Sequence, residues 1–129
     1  MLKVKKGIKK LVEEAEALVE SLTPVEVEEK LKKDGVTLID LRDIRELKRD
    51  GTIAGSMHIP RGMLEFWLDP ESPYFKEGKL DMNKEMVLFC AGGLRSALAA
   101  KTLNDMGFKN VSHVDGGFGA IKHSKFKII

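Results

Sequence analysis

Met86-Val87-Leu88-Phe89-Cys90-Ala91-Gly92-Gly93-Leu94-Arg95-Ser96 places the chain's one cysteine between a strand and a helix, and the rest of the architecture follows from that junction. Met86 to Phe89 is a short continuous apolar run, the pattern of a strand buried on both faces. Helix formers run from Ala97 to Met106, and Gly107 stands where such a helix stops. Gly92 and Gly93 allow the intervening loop to curl with main-chain N–H groups facing inward, in conformations a Cβ would obstruct. The helix start adds unpaired N–H groups and the positive end of its dipole. A thiol held there beside Arg95 is expected to ionise easily, and the same cradle suits an anionic ligand. A cysteine at the end of an apolar strand is more often just a small buried hydrophobe. Such a residue, however, needs neither the glycine pair nor the arginine.

Outward from this junction, strands and helices alternate. Thr23-Pro24-Val25-Glu26 reads as a helix start, with Thr23 as cap, Pro24 in the first turn and Glu26 completing a capping box. That helix is expected to run to about Lys33 and stop at Asp34-Gly35. Val36 to Leu41 reads as a buried strand and Asp43 to Lys48 as a short helix, with Arg42 and Glu46 spaced to pair. Gly51 to Gly55 is a loop, and Met57-His58-Ile59 a brief strand closed by Pro60. Met63 to Leu68 carries helical spacing, and Asp69 to Gly78 is a polar excursion. Val111 to Val114 reads as a strand and Phe118 as the start of a last helix. This order predicts an α/β fold in which a mostly parallel central sheet carries helices on both faces. Ligands of such sheets bind beyond the carboxyl ends of the strands, where Cys90 falls.

Ahead of this region, Ile8, Leu11, Val12, Ala15, Leu18, Val19 and Leu22 recur at spacings of three and four, the stripe of an amphipathic helix. The expected division is an extra N-terminal helix over 1–21 and the main domain over 22–129. The simplest role for the helix is docking on the domain's own surface; the sharper one is contact with a partner or a second copy. Four glutamates on its polar face disfavour a membrane surface.

With 129 residues, the chain is long enough to bury about two-thirds of its unfolded surface without staples. Its 22 basic and 20 acidic residues leave a net charge of +2, too balanced to indicate nucleic acid. A single cysteine excludes an internal disulfide and suits a reducing compartment. One cysteine and three scattered histidines do not make a zinc site. Met1 to Lys10 is basic, but Glu13, Glu14, Glu16 and Glu20 interrupt before any apolar core of a signal peptide, so a cytoplasmic protein is expected.

Four pieces, in order, resemble the small single-domain members of the rhodanese (sulfurtransferase) family. They are Leu38-Ile39-Asp40-Leu41-Arg42 with Glu46, the run Gly51-Thr52-Ile53-Ala54-Gly55-Ser56-Met57-His58-Ile59-Pro60-Arg61-Gly62, the loop Cys90 to Ser96, and Gly107-Phe108 leading to Asp115-Gly116-Gly117-Phe118. Together they span about residues 22 to 121. The resemblance implies a rhodanese-like three-layer sandwich and sulfur transfer through a persulfide on Cys90, without a cofactor or metal. The backbone of Ala91, Gly92, Gly93, Leu94, Arg95 and Ser96 is then the cradle for the charged sulfur, with Arg95 holding an anionic donor. The resemblance has Asp40 brace the loop or pair with Arg61, while the residues alone equally allow it to cap the next helix, and Arg61 is a second candidate anion contact. His58 reads as a hydrogen-bonded structural residue, and neither His113 nor His123 as catalytic. The implied partners are a small anionic sulfur donor (thiosulfate, a persulfide or mercaptopyruvate) and a thiol or cyanide-like acceptor, including a thioredoxin-like or sulfur-accepting protein.

Two departures matter. Ile121 stands where the family usually has tryptophan, and Ala91 where thiosulfate-preferring members carry a basic residue, which weakens the case for thiosulfate. Phosphatases and arsenate reductases of similar fold place five residues between cysteine and arginine; here four separate Cys90 from Arg95. The same resemblance also accommodates a persulfide relay to a protein, or a non-catalytic, regulatory interaction module.

Overall fold

A computed structural model describes residues 1–129. In chain order its elements are α1 (Ile8–Leu18), β1 (Glu20–Leu22), α2 (Pro24–Leu31), β2 (Val36–Asp40), α3 (Ile44–Asp50), β3 (Met57–His58), a 3-10 turn (Arg61–Met63) leading into α4 (Leu64–Leu68), β4 (Glu85–Phe89), α5 (Leu94–Asp105), β5 (Val111–Val114) and α6 (Gly117–Ile121). The five strands lie in the order β1-β5-β4-β2-β3, and every neighbouring pair is parallel.

Alternation along β4 creates two cores. Met86 and Leu88 face one side, where they join Ile39, Leu64 and Leu68 near α4, and Ala99, Ala100 and Leu103 of α5. Val87 and Phe89 face the other, against Leu38, Val27 of α2, and Phe118 and Ile121 of α6. Successive strand side chains point to opposite faces, so the apolar run is what a doubly covered strand requires. The result is the expected three-layer sandwich. Ile121 is fully buried in the second core.

The N-terminal helix is shorter than its apolar stripe. It ends at Leu18, Val19 turns extended (φ −104°, ψ 158°), and Glu20–Leu22 forms an edge strand on β5. Leu22 fits both helical spacing and the core beneath the sheet; the open edge of β5 decides for the strand. Val12 and Ala15 of α1 pack on Ala97 of α5. The helix therefore docks on its own domain. The capping box of α2 forms as expected, and Asp43 with Glu46 makes a second box at the start of α3. One further pairing was not legible in the sequence. Thr52 and Ile129 exchange main-chain hydrogen bonds of 3.0 and 2.8 Å, tying the chain's end to the loop after α3. No helix is long and apolar enough to cross a membrane.

Candidate functional site

The loop after β4 is fixed from two sides. Leu41 N–H donates to the Phe89 carbonyl at 2.9 Å, and from α6 Phe118 and Gly119 donate to the carbonyls of Cys90 and Ala91 at 2.7 and 3.0 Å. Gly117 makes this contact possible: with φ +59°, a Cβ there would run into the Cys90 carbonyl. Cys90 is only 1 % exposed, yet its surroundings are polar. Its Sγ accepts from the amides of Gly93 at 3.2 Å and Ser96 at 3.4 Å, and lies 3.6 Å from Ser96 Oγ.

The cradle is narrower than the sequence suggests. Of the main-chain amides from Ala91 to Ser96, only those of Gly93 and Ser96 reach the sulfur. The glycine pair also divides its work. Gly93 takes φ +99° and sits against the Gly116 backbone, whereas Gly92 is not left-handed and has open space around it. Two main-chain amides thus converge on one sulfur.

Arg95 leaves α5 toward α3, where its Nη1 and Nη2 donate to Glu46 Oε2 and Oε1 at 2.8 and 3.0 Å. This fork holds the Glu46 carboxyl at about 2, well below the ordinary carboxylate range, with the Asp43 amide assisting and burial opposing. The Arg95 guanidinium is pushed up by Glu46, and secondarily by Cys90 beside it. The expected Arg42–Glu46 pair is thus absent. Glu46 is occupied by Arg95 and by the Asp43 N–H at 2.9 Å, and Arg42 has turned inward. A positive group stands near the sulfur, but its charge is already balanced.

Arg42 is 1 % exposed and Asp40 fully buried. The Asp40 carboxylate accepts from Arg42 N at 3.0 Å, from Nε at 3.0 and 3.2 Å, from Nη2 at 2.7 Å, and from Thr52 Oγ1 at 2.7 Å. Arg42 Nη2 also donates to the Gly51 carbonyl at 2.8 Å, and the guanidinium covers the Phe118 ring at 4.0 Å. Asp40 therefore pairs with Arg42 and not with Arg61, and Asp43 rather than Asp40 caps α3. Arg61 reaches Glu65 at 2.6 Å, one helical turn on. Its amide donates to the Leu41 carbonyl at 3.0 Å, so it stands at the same carboxyl end of the sheet as Cys90. His58 Nε2 lies 2.7 Å from the Arg42 carbonyl, a structural hydrogen bond as expected.

The sequence reading set His113 aside as non-catalytic, with no link to Cys90, yet the fold brings it to the loop. His113, 1 % exposed in the middle of β5, places Nδ1 2.9 Å from Ser96 Oγ and Nε2 3.0 Å from Ser21 Oγ on β1. Burial pushes its basicity down, against smaller opposing effects of Glu16 and Asp115. No spacing rule links residue 113 to residue 90; the only signal was the polar pair Ser112-His113 between the valines of β5. No group of three or more His, Cys, Asp or Glu side chains has metal-binding geometry.

The rhodanese-like domain model matches residues 23–124. The thiosulfate sulfurtransferase GlpE of Pseudomonas savastanoi pv. phaseolicola is 35% identical over 95 residues, covering 74% of this chain and 80% of that protein. The tRNA uridine(34) hydroxylase of Hamiltonella defensa is also 35% identical, over 92 residues and 71% of this chain, but the match spans only 25% of that protein's length. A solved structure from Rhodopseudomonas palustris, described as a protein of unknown function and possible tyrosine phosphatase, superposes with a TM-score of 0.91 at 46% identity, covering 100% of this chain and 98% of that one. With most of its length matched by the family model and a sulfurtransferase relative aligned over most of both chains, this protein belongs to the rhodanese-like domain family.

Proposed function

We propose that the protein moves a sulfane sulfur from a donor to a thiophilic acceptor through a persulfide on Cys90. The Cys90 thiolate attacks the outer sulfur of a donor persulfide, the donor's S–S bond breaks, and the donor thiolate leaves. The enzyme then carries Cys90–S–S⁻. An acceptor thiolate or cyanide attacks the terminal sulfur, and the Cys90 thiolate departs restored. This is covalent catalysis by double displacement. The single observation that supports it is the pair of main-chain amides, from Gly93 and Ser96, aimed at one cysteine sulfur. The remaining loop amides, of Ala91, Gly92, Leu94 and Arg95, are the donors open to the terminal sulfur once it is added.

The pairing of Arg95 with Glu46 favours singly charged persulfides over the thiosulfate dianion, since a neutralised guanidinium attracts a second charge weakly. A reducing compartment such as the cytoplasm suits a free thiolate. A phosphatase activity is opposed by the spacing, with four residues between Cys90 and Arg95. One observation favours a protein acceptor as a second reading. Leu94 of the loop and Ile8 of α1, 57 % and 60 % exposed, line a shared groove beside the site.

Mass spectrometry of the intact protein after incubation with glutathione persulfide, thiosulfate and mercaptopyruvate tests the proposal. One added sulfur on the Cys90 peptide, lost in Cys90→Ser, is expected. Hydrolysis of an aryl phosphate with no sulfur uptake from any donor would overturn it.

A further inference from the structure

We propose that Ser21, His113 and Ser96 form a hydrogen-bond chain that aims the Ser96 hydroxyl proton at the Cys90 sulfur, which makes His113 a positioning residue of the site. The inference rests on Cys90 being the sulfur-bearing nucleophile.

The Ser96 hydroxyl is fully buried and has one proton to give. Three groups surround it: the Gly93 carbonyl, an acceptor at 3.3 Å, His113 Nδ1 at 2.9 Å, whose role follows its tautomer, and Cys90 Sγ at 3.6 Å, which accepts once ionised. If Nδ1 lacked a hydrogen, the nearby imidazole would take the serine proton, and the sulfur would lose its third donor. If Nδ1 carries the hydrogen, the imidazole donates to Ser96 Oγ, and the serine proton is left to the carbonyl or the sulfur. A negatively charged sulfur is the stronger acceptor, so it draws the proton.

In the proposed chain Ser21 is the donor at the far nitrogen, which selects one tautomer. Its Oγ lies 3.0 Å from Nε2, the far nitrogen, and a serine donating there keeps the imidazole hydrogen on Nδ1. All three donors then point one way, from the exposed edge strand β1 through β5 to the end of β4, and such chains strengthen each member. Burial helps by keeping the ring neutral. The charged groups acting on His113 are Glu16 of α1 and Asp115 after β5, and those beside the sulfur are Arg95 and Glu46. A histidine placed only to join β5 to α5 would not need an edge-strand hydroxyl on its other nitrogen.

The experiment follows the titration of the Cys90 thiolate by ultraviolet absorbance and by the pH dependence of its alkylation with iodoacetamide. Ser21→Ala, at an exposed position, is expected to raise the midpoint by about half a pH unit, and His113→Phe by about one unit. His113→Asn, whose amide N–H falls near the position of Nδ1–H, is expected to recover most of that shift. Ser96→Ala is expected to match His113→Phe, and the double variant to be no worse than either alone. Unmoved midpoints in Ser21→Ala and in a folded His113→Phe would overturn the proposal. Should His113→Phe fail to fold, Ser21→Ala and His113→Asn still decide. Sulfur uptake by the wild-type protein is measured separately. Shifted midpoints without uptake would sink the transferase reading and keep the chain; uptake with unmoved midpoints would do the reverse.

Discussion

Replacing Asp40 by alanine separates a structural anchor from a site residue. In the folded protein the Asp40 carboxylate is out of reach of water and accepts from the Arg42 amide, the Arg42 guanidinium and the Thr52 hydroxyl. Asp40→Ala strands the Arg42 guanidinium, 1 % exposed, with the Gly51 carbonyl and the Phe118 ring as its remaining partners. Removing one member of a buried ion pair costs about 3–5 kcal/mol, against a total of about 5–15 kcal/mol for a domain of ordinary stability. Asp40→Asn keeps a carbonyl acceptor and is expected to cost less, about 2 kcal/mol. Urea unfolding followed by far-UV circular dichroism measures both, with the denaturant slope unchanged. Arg42→Ala and the double variant complete a cycle in which the two single costs do not add. Sulfur uptake per folded molecule is expected to survive, because neither side chain contacts the Cys90 sulfur. A loss below about 1 kcal/mol, or additive single costs, would refute the ion-pair account. A stable Asp40→Ala that takes up no sulfur would instead place Asp40 in the chemistry.

Three further outcomes are expected. Gly93→Ala should cost about 1–3 kcal/mol and most of the sulfur uptake, since φ is +99° and the amide donates to Sγ, while Gly92→Ala should leave thermal stability within about 1 kcal/mol. Glu46 has its carboxyl held at about 2 against an ordinary 4.5, so its contribution is present above pH 4.5 and disappears as pH falls toward 2. Glu46→Gln should therefore be less stable than wild type near neutrality by about 1 kcal/mol after solvent screening of the half-exposed Arg95, with the difference closing as pH falls through about 2; the same variant should gain in kcat/KM for thiosulfate relative to glutathione persulfide. Ser112 Oγ is buried without a partner, and Ser112→Ala should raise the urea midpoint, relieving a desolvation cost of about 1 kcal/mol.

The linear order of residues was enough to place Cys90 at the end of a central parallel strand. An unbroken apolar run marks a doubly buried strand, alternating helices and strands mark the layers, and a capping box marks a helix start; each is a short-range pattern with one physical solution. The left-handed turn at Gly93 belongs to the same class, although which glycine of the pair would take it depended on the approach of the Gly116 backbone. Partner choice was decided only in three dimensions. Glu46 lies four residues from Arg42 but pairs with Arg95, because Asp40 at the end of β2 draws Arg42 into the interior. Likewise Leu22 continues the helical stripe of α1, yet the open edge of β5 takes it as a strand and brings Ser21 to His113. Electrostatic partners and sheet edges are settled by distance and burial, and separation along the chain carries no record of either.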